Sequence, residues 1–314
     1  MRVFLALAFS FFAAAVSVAE DEKWRAPFDY AAELPEMVAP FEPFRIIGNV
    51  YYVGTEGLAV YLIAGVDGGH ALIDGGLPGY EQIIIDNIAK LGFDIKDVKY
   101  LLNTHAHFDH SGGLAALKKA SGAELIASEG DVSALEGGFY LGSEDNPNFA
   151  VPPVTVDEII EDRGPDALPY LVLVVRGPAT QYGVDVQLLG SRLTSGHSRG
   201  CTTWALQSVN ENGESYEVLF FCSATVAANS LVPEQYEGIV DDYRMTFDKT
   251  KEWDPDVFLS NHPEVFFMKE TREKQKAGDP LAFVNRGAFQ KYIAAKERAF
   301  EKALAEQTEA AENK

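Results

Sequence analysis

The run Thr104-His105-Ala106-His107-Phe108-Asp109-His110 puts three imidazoles and a carboxylate into six residues. Zinc and similar metals are held by such groups, and only where several converge. One helix face is excluded, because residues two apart do not meet on a helix. At the end of a strand, residues two apart point the same way. His105 and His107 therefore read as one pair of ligands, and a tight turn after them brings Asp109 and His110 round to a second metal. A single histidine is ordinarily a surface or core residue; a cluster this dense after an apolar strand reads as a metal site. The chain has six histidines. Five of them, His105, His107, His110, His197 and His262, follow predicted strands. Their loops are the opening run, Ser195-Gly196-His197-Ser198-Arg199-Gly200 and Asn261-His262-Pro263. Three such loops at one sheet edge imply a single site. His70 falls within or at the start of a strand and reads as structural.

The elements that must position these loops follow from periodicity and turn chemistry. Strands are expected over 44–54, 58–64 and 70–74, with Val66-Asp67-Gly68-Gly69 as a hairpin turn. Asp74-Gly75-Gly76 breaks the third. A helix over 79–91 stops at Gly92, and the strand 98–103 leads into the ligand run. Helices over 114–120 and 129–135 flank a short strand at 124–127. Residues 137–153 read as an exposed loop. Further strands are expected over 170–175, 184–189, 191–194, 202–209 and 214–221, then a helix over 236–253, a strand over 255–260 and a helix over 286–306. This is an α/β pattern. If the turn Asn210-Glu211-Asn212-Gly213 is tight, Cys201 faces Cys222, as a disulfide or as two buried thiols.

A net charge of −21 argues against a nucleic-acid partner, which needs a basic face. Any anionic substrate must then be attracted locally, for example by a metal ion. Residues 1–19 read as a secretory signal peptide: Met1-Arg2, an apolar stretch, then Val-Ser-Val-Ala ending at Ala19. The alternative, a membrane anchor, fits less well, since about 17 apolar residues lie near the lower limit for a span. Residues 20–44 read as an N-terminal arm lying on the body near the site mouth, 45–306 as the main domain and 307–314 as a charged tail. The mature protein is expected in the periplasm, as a monomer acting on a small molecule, with no membrane attachment after leader removal.

The order Asp74, His105-Ala106-His107-Phe108-Asp109-His110, Gly196-His197-Ser198-Arg199-Gly200 and Asn261-His262 resembles the metallo-β-lactamase superfamily over residues 45–305. The resemblance implies a four-layer αβ/βα sandwich, with two mixed β-sheets packed face to face and helices outside. Lactonases, hydroxyacylglutathione hydrolases, ribonucleases and flavo-diiron proteins share the first motif, so fold alone does not choose the chemistry. Most of the non-lactamase hydrolases carry a bridging aspartate where this chain has Phe221-Cys222-Ser223-Ala224-Thr225. The first two β-lactamase subclasses have a cysteine ligand there; the third has a serine, with which Ser223 aligns, and uses the histidine of its D-H pair. Gly54-Thr55-Glu56-Gly57-Leu58, Gly200-Cys201-Thr202-Thr203-Trp204 and Asp241-Asp242-Tyr243-Arg244 also resemble third-subclass stretches.

By this resemblance His105, His107 and His197 hold one zinc ion and Asp109, His110 and His262 a second. The implied reaction is hydrolysis of a β-lactam amide by metal-activated hydroxide, with Asp109 as the catalytic residue that orients it. Asp74 would order the ligand loops, or simply close a turn. Ser223 and Thr225 would touch substrate, or simply cap theirs. Three features depart from the family: Ser198-Arg199-Gly200 replaces its usual T-P-G or T-K-G, Cys222 sits one residue from Ser223, and the segment 162–180 is longer than usual and would reshape the rim. The alternatives are another exported hydrolase of this fold, such as a lactonase, and a non-enzymatic zinc-binding protein with a relic site.

Overall fold

The computed structural model describes residues 27, 29–65, 69–161, 170–180 and 183–313, with backbone alone over 170–180 and 183–186. The expected leader 1–19, residues 20–26, the expected turn over 66–68 and residues 162–169 lie outside the described residues. Two single-turn helices come first, α1 (Tyr30–Glu33) and α2 (Pro35–Val38). Then follow β1 (Phe44–Ile47), β2 (Val50–Tyr52), β3 (Tyr61–Ile63), β4 (His70–Ile73), α3 (Glu81–Lys90), β5 (Val98–Leu102), α4 (Phe108–Ser111), α5 (Leu114–Ser121), β6 (Glu124–Ser128), α6 (Glu129–Gly137) and β7 (Glu158–Ile160). The second half holds β8 (Tyr170–Thr180), β9 (Gly183–Leu193), β10 (Thr202–Glu211), β11 (Glu214–Phe221), α7 (Ile239–Thr250), β12 (Val257–Ser260), α8 (Met268–Lys276) and α9 (Ala288–Glu312).

Strands β1 to β7 form one sheet in sequence order, antiparallel as far as β4 and parallel from β4 to β7. The second sheet has the order β12-β11-β10-β9-β8, antiparallel except for the parallel pair β11–β12. Side-chain alternation along the strands decides the layering. Trp204, Leu206, Val218 and Phe220 share a central core with Tyr61, Ile63, Ile73 and Leu102 of the other sheet. Their neighbours Ala205, Leu219 and Phe221 turn outward, onto Tyr243, Phe247 and Phe289 of α7 and α9. On the first sheet Leu62, Leu72, Leu101 and Leu125 turn outward onto Ile84, Ile88, Leu114 and Leu117 of α3 and α5. The central strands thus alternate between two apolar cores rather than between core and water. Both sheets are mixed, and the result is the αβ/βα sandwich that the resemblance implies.

Several boundaries differ from the sequence reading. The stretch 44–54 is a hairpin, because Gly48 takes a left-handed backbone (φ 52°) and turns the chain between β1 and β2. The two strands expected at 184–194 are one, β9. The loop 137–153 is not simply exposed: Tyr140 and Val151 are buried. Helix α9 continues through Glu312 and takes in most of the expected tail. Gln307 anchors that extension, its Oε1 accepting from Leu231 N at 2.6 Å and Val232 N at 3.1 Å.

The β10–β11 register is also shifted. The turn is the two-residue Asn212-Gly213, both at positive φ, as a tight antiparallel hairpin requires. With a further irregularity between Leu206 and Val209, Trp204 pairs with Phe220, one step from a register that sets Cys201 opposite Cys222. The two cysteines nonetheless form a disulfide, just outside the ladder, with Cα atoms 5.9 Å apart. No described helix is long and apolar enough to cross a membrane.

Candidate metal centre

The ligand loops leave the sheets at one edge, and a buried carboxylate shapes the first of them. Asp74 follows β4 in a left-handed conformation, φ 65°. Its Oδ1 accepts from Thr104 N at 2.7 Å and Asn103 Nδ2 at 3.3 Å, and its Oδ2 accepts from Thr104 Oγ1 at 2.7 Å. Thr104 has one hydroxyl proton and gives it to Asp74. The 3.0 Å contact between Thr104 Oγ1 and His105 Nδ1 is then donated by the histidine. That fixes the tautomer and leaves the His105 Nε2 lone pair bare. After His107 the chain makes the single turn α4, which swings Asp109 and His110 round.

Two triads result. His105, His107 and His197 offer one ligand atom each, as do Asp109, His110 and His262, and within each triad these atoms lie within 4.8 Å of one another. His110 Nε2 stands 3.1 Å from Asp109 Oδ2 and 3.2 Å from His262 Nε2; His262 Nε2 is 3.4 Å from the same Asp109 oxygen. The ring centres of His105 and His110 are 4.5 Å apart, so the triads adjoin. The first sheet and its loops supply four of these residues, and the second sheet supplies His197 and His262. Strand ends were enough to foresee the convergence. The tight turn expected after His107 is the single helical turn α4, and it separates the two triads.

The electrostatics suit a cation. Burial holds His105 and His107 well below the ordinary imidazole range, aided by repulsion from the neighbouring imidazoles, and pushes His197 down to about 4. These rings are therefore neutral lone-pair donors at neutral pH. Burial works against ionisation of Asp109 too, but His110 and His262 outweigh it and hold the carboxyl well below its ordinary range. His105 Nε2 is buried and has no hydrogen-bond partner. Two triads of imidazole and carboxylate around such an atom fit two metal ions of the zinc type.

The remaining residues singled out in the sequence lie nearby. His197 Nδ1 donates to Thr225 O at 2.7 Å and has Thr225 Oγ1 at 3.2 Å. Ser223 Oγ accepts from Thr225 N at 3.3 Å, so the pair closes its own turn behind His197. Cys222 Sγ is bonded to Cys201 and lies 3.6 Å from His105 Nδ1. His70 is remote; its Nδ1 accepts from Gly65 N at 3.1 Å.

Tyr140 and Asn229 escaped the sequence reading. Tyr140 stacks on His107 with ring centres 4.3 Å apart and donates its hydroxyl to Asn229 Oδ1 at 2.6 Å. Asn229 Nδ2 donates to His197 O at 2.9 Å. An aromatic in a Gly- and Asn-rich loop and an isolated asparagine carry no signal of this in their spacing. On the arm, Tyr30 stacks on Phe108 of the ligand run, with ring centres 6.3 Å apart, which sets the arm beside the site.

A model of the metallo-beta-lactamase superfamily matches residues 53–231. BJP-1, a subclass B3 metallo-beta-lactamase of Bradyrhizobium japonicum, is 44% identical, covers 90% of this chain and 99% of its own, and superposes with a TM-score of 0.78. The FEZ-1 metallo-beta-lactamase of Legionella gormanii is 32% identical, over 86% of this chain and 98% of its own, with a TM-score of 0.74. Among curated sequences, a hydroxyacylglutathione hydrolase of Rhodospirillum rubrum is 35% identical over 79 residues, which span 25% of this chain and only 28% of that protein. With its family motifs, its two mixed sheets and its adjoining triads at their edge, this chain belongs to the metallo-β-lactamase superfamily.

Proposed function

We propose that the protein hydrolyses the amide bond of β-lactams, with two zinc ions held by His105, His107 and His197 and by Asp109, His110 and His262. The observation that carries this reading is the make-up of the second triad. It takes His110, while Cys222, which adjoins the aligned Ser223, is committed to a disulfide. The place where most non-lactamase relatives carry a bridging aspartate holds Ser223 instead. The 44% identity with BJP-1 over nearly all of that chain supports the same choice.

Zinc bound there would supply Lewis acidity, polarising a carbonyl and lowering the pKa of a water towards neutrality. The protein's own residues do the rest. Thr104 and Thr225 take the Nδ1 protons of His105 and His197, which keeps both Nε2 atoms available as donors. Asp109, kept ionised by its two histidines, accepts a hydrogen bond from the attacking water and aims it. Asp74 fixes the loop through Thr104. In a chain of net charge −21, metal held by these six residues would supply the local positive field that an anionic antibiotic needs.

The test is turnover of nitrocefin against a homoserine lactone by zinc-loaded protein. Nitrocefin turnover that a chelator abolishes and zinc restores is expected. No β-lactam turnover at full zinc occupancy would sink the reading, and lactone turnover in its place would support a lactonase. The proposal includes export, which agrees with a persistent Cys201–Cys222 bond. Mass spectrometry of the periplasmic fraction should then find a chain beginning at Glu20; a cytoplasmic protein keeping Met1 would refute it.

A further inference from the structure

Asp131 stands in the first turn of α6 and is buried. It reaches neither triad, yet it bonds to the loops that carry both halves of the first one. Its Oδ2 accepts from Ala106 N at 3.0 Å, the amide between His105 and His107, and from Ser198 Oγ at 2.9 Å, one residue past His197. Its Oδ1 accepts from Gly200 N at 3.0 Å. One carboxylate therefore joins the loop after β5, from the first sheet, to the loop after β9, from the second.

The surroundings are built for this contact. A Cβ on Gly200 would stand 2.6 Å from Asp131 Cγ and Asp131 N, and one on Gly130 would stand 2.8 Å from the Arg199 carbonyl carbon. Both are main-chain-tight approaches, so α6 is pressed against the His197 loop as only two glycines allow. Burial raises the Asp131 pKa to about 6 even though three donors pull it down. An ordinary helix-start aspartate sits in water and favours the helix dipole. This one is buried against a desolvation cost, and what it gains is a fixed distance between two ligand loops.

We propose that Asp131 is a positioning residue for the first metal: it sets the spacing of His105 and His107 against His197 by clamping Ala106, Ser198 and Gly200. This rests on the metallohydrolase reading of the site. Asp131→Asn is the sharpest variant, because its amide must present N–H groups to at least one of the three donors. Groups hydrogen-bonded to a ligand side chain typically change metal affinity about 10–100-fold, and a clamp acting through the ligand loops belongs at the lower end, about 10-fold. Asp131→Asn should weaken binding of one of the two zinc ions by that factor in chelator competition. It should also shift the visible spectrum of the cobalt-substituted protein, which a fold that is merely less stable around an intact site would not do. Ser198→Ala, which removes a single bond to Oδ2, should show a smaller loss in the same direction. An Asp131→Asn protein with wild-type zinc affinity and cobalt spectrum overturns the proposal. So does one whose metal-free melting point drops while its affinity holds. If Asp131→Asn does not fold, Ser198→Ala decides, and unchanged affinity there overturns the proposal. Wild-type protein that takes up no zinc would instead overturn the metal reading, and the proposal with it.

Discussion

His262 closes the second triad from the far sheet, and its side chain is the most exposed of that triad's three. Truncating it therefore disturbs packing little and removes one ligand. If the centre holds two zinc ions as proposed, His262→Ala should reduce bound zinc from two towards one per chain, measured by elemental analysis. It should cut kcat/KM for nitrocefin by about a hundredfold or more, as loss of a preorganised charge-stabilising group does. Asp131 makes a prediction of a different kind. Its folded pKa, about 6, lies above its ordinary value of 3.8, so the folded protein takes up this proton first as the pH falls. The ionised carboxylate thus subtracts stability above pH 6, and the penalty fades as the pH approaches 3.8. In thermal melts of metal-free protein, any advantage of Asp131→Asn over wild type should be largest above pH 6 and shrink on acidification. The reverse trend would contradict the burial argument. The six triad residues were legible in the sequence because five of its six histidines, with Asp109 among them, gather in three loops after predicted strands. Asp131, Tyr140 and Asn229 were not, since their work depends on which loops the fold sets beside them.

At the scale of elements, the sequence marked most strands and helices and misjudged how they end. Gly48, Asn212 and Gly213 turn the chain at positive φ, and each moved a boundary or a register by a residue or more. Alternation predicts which face of a strand is apolar, but a strand between two cores is apolar on both, so the pattern blurs. The disulfide illustrates the limit. The pairing of Cys201 with Cys222 holds although the register that suggested it does not, because both strand ends approach the same point beneath His105. The bond spans 21 residues of sequence. Its reduction should cost about 3 kcal/mol in denaturant unfolding, by the loop-entropy relation for a loop of roughly this size. Because Cys222 Sγ lies 3.6 Å from His105 Nδ1, the reduced protein should also bind zinc more weakly than the oxidised one. Equal affinity in both redox states would show that the disulfide supports the fold without supporting the site.

For the whole molecule, the division of ligands between the sheets has a kinetic meaning. Neither half of the chain alone can assemble either triad: His105 and His107 wait for His197, and Asp109 and His110 wait for His262. A metal ion can therefore engage all its ligands only after the halves have docked, late in folding. Contacts absent from the folding transition state slow unfolding and leave the folding rate nearly unchanged. Free zinc at a thousandfold excess over its Kd contributes about 4 kcal/mol. In stopped-flow experiments that should appear as unfolding about a thousandfold slower, with refolding scarcely altered. Faster refolding in zinc would instead mean that one half gathers the ion before the other arrives. The ions would then act as rivets across a seam, setting how long the protein lasts once folded rather than how quickly it forms.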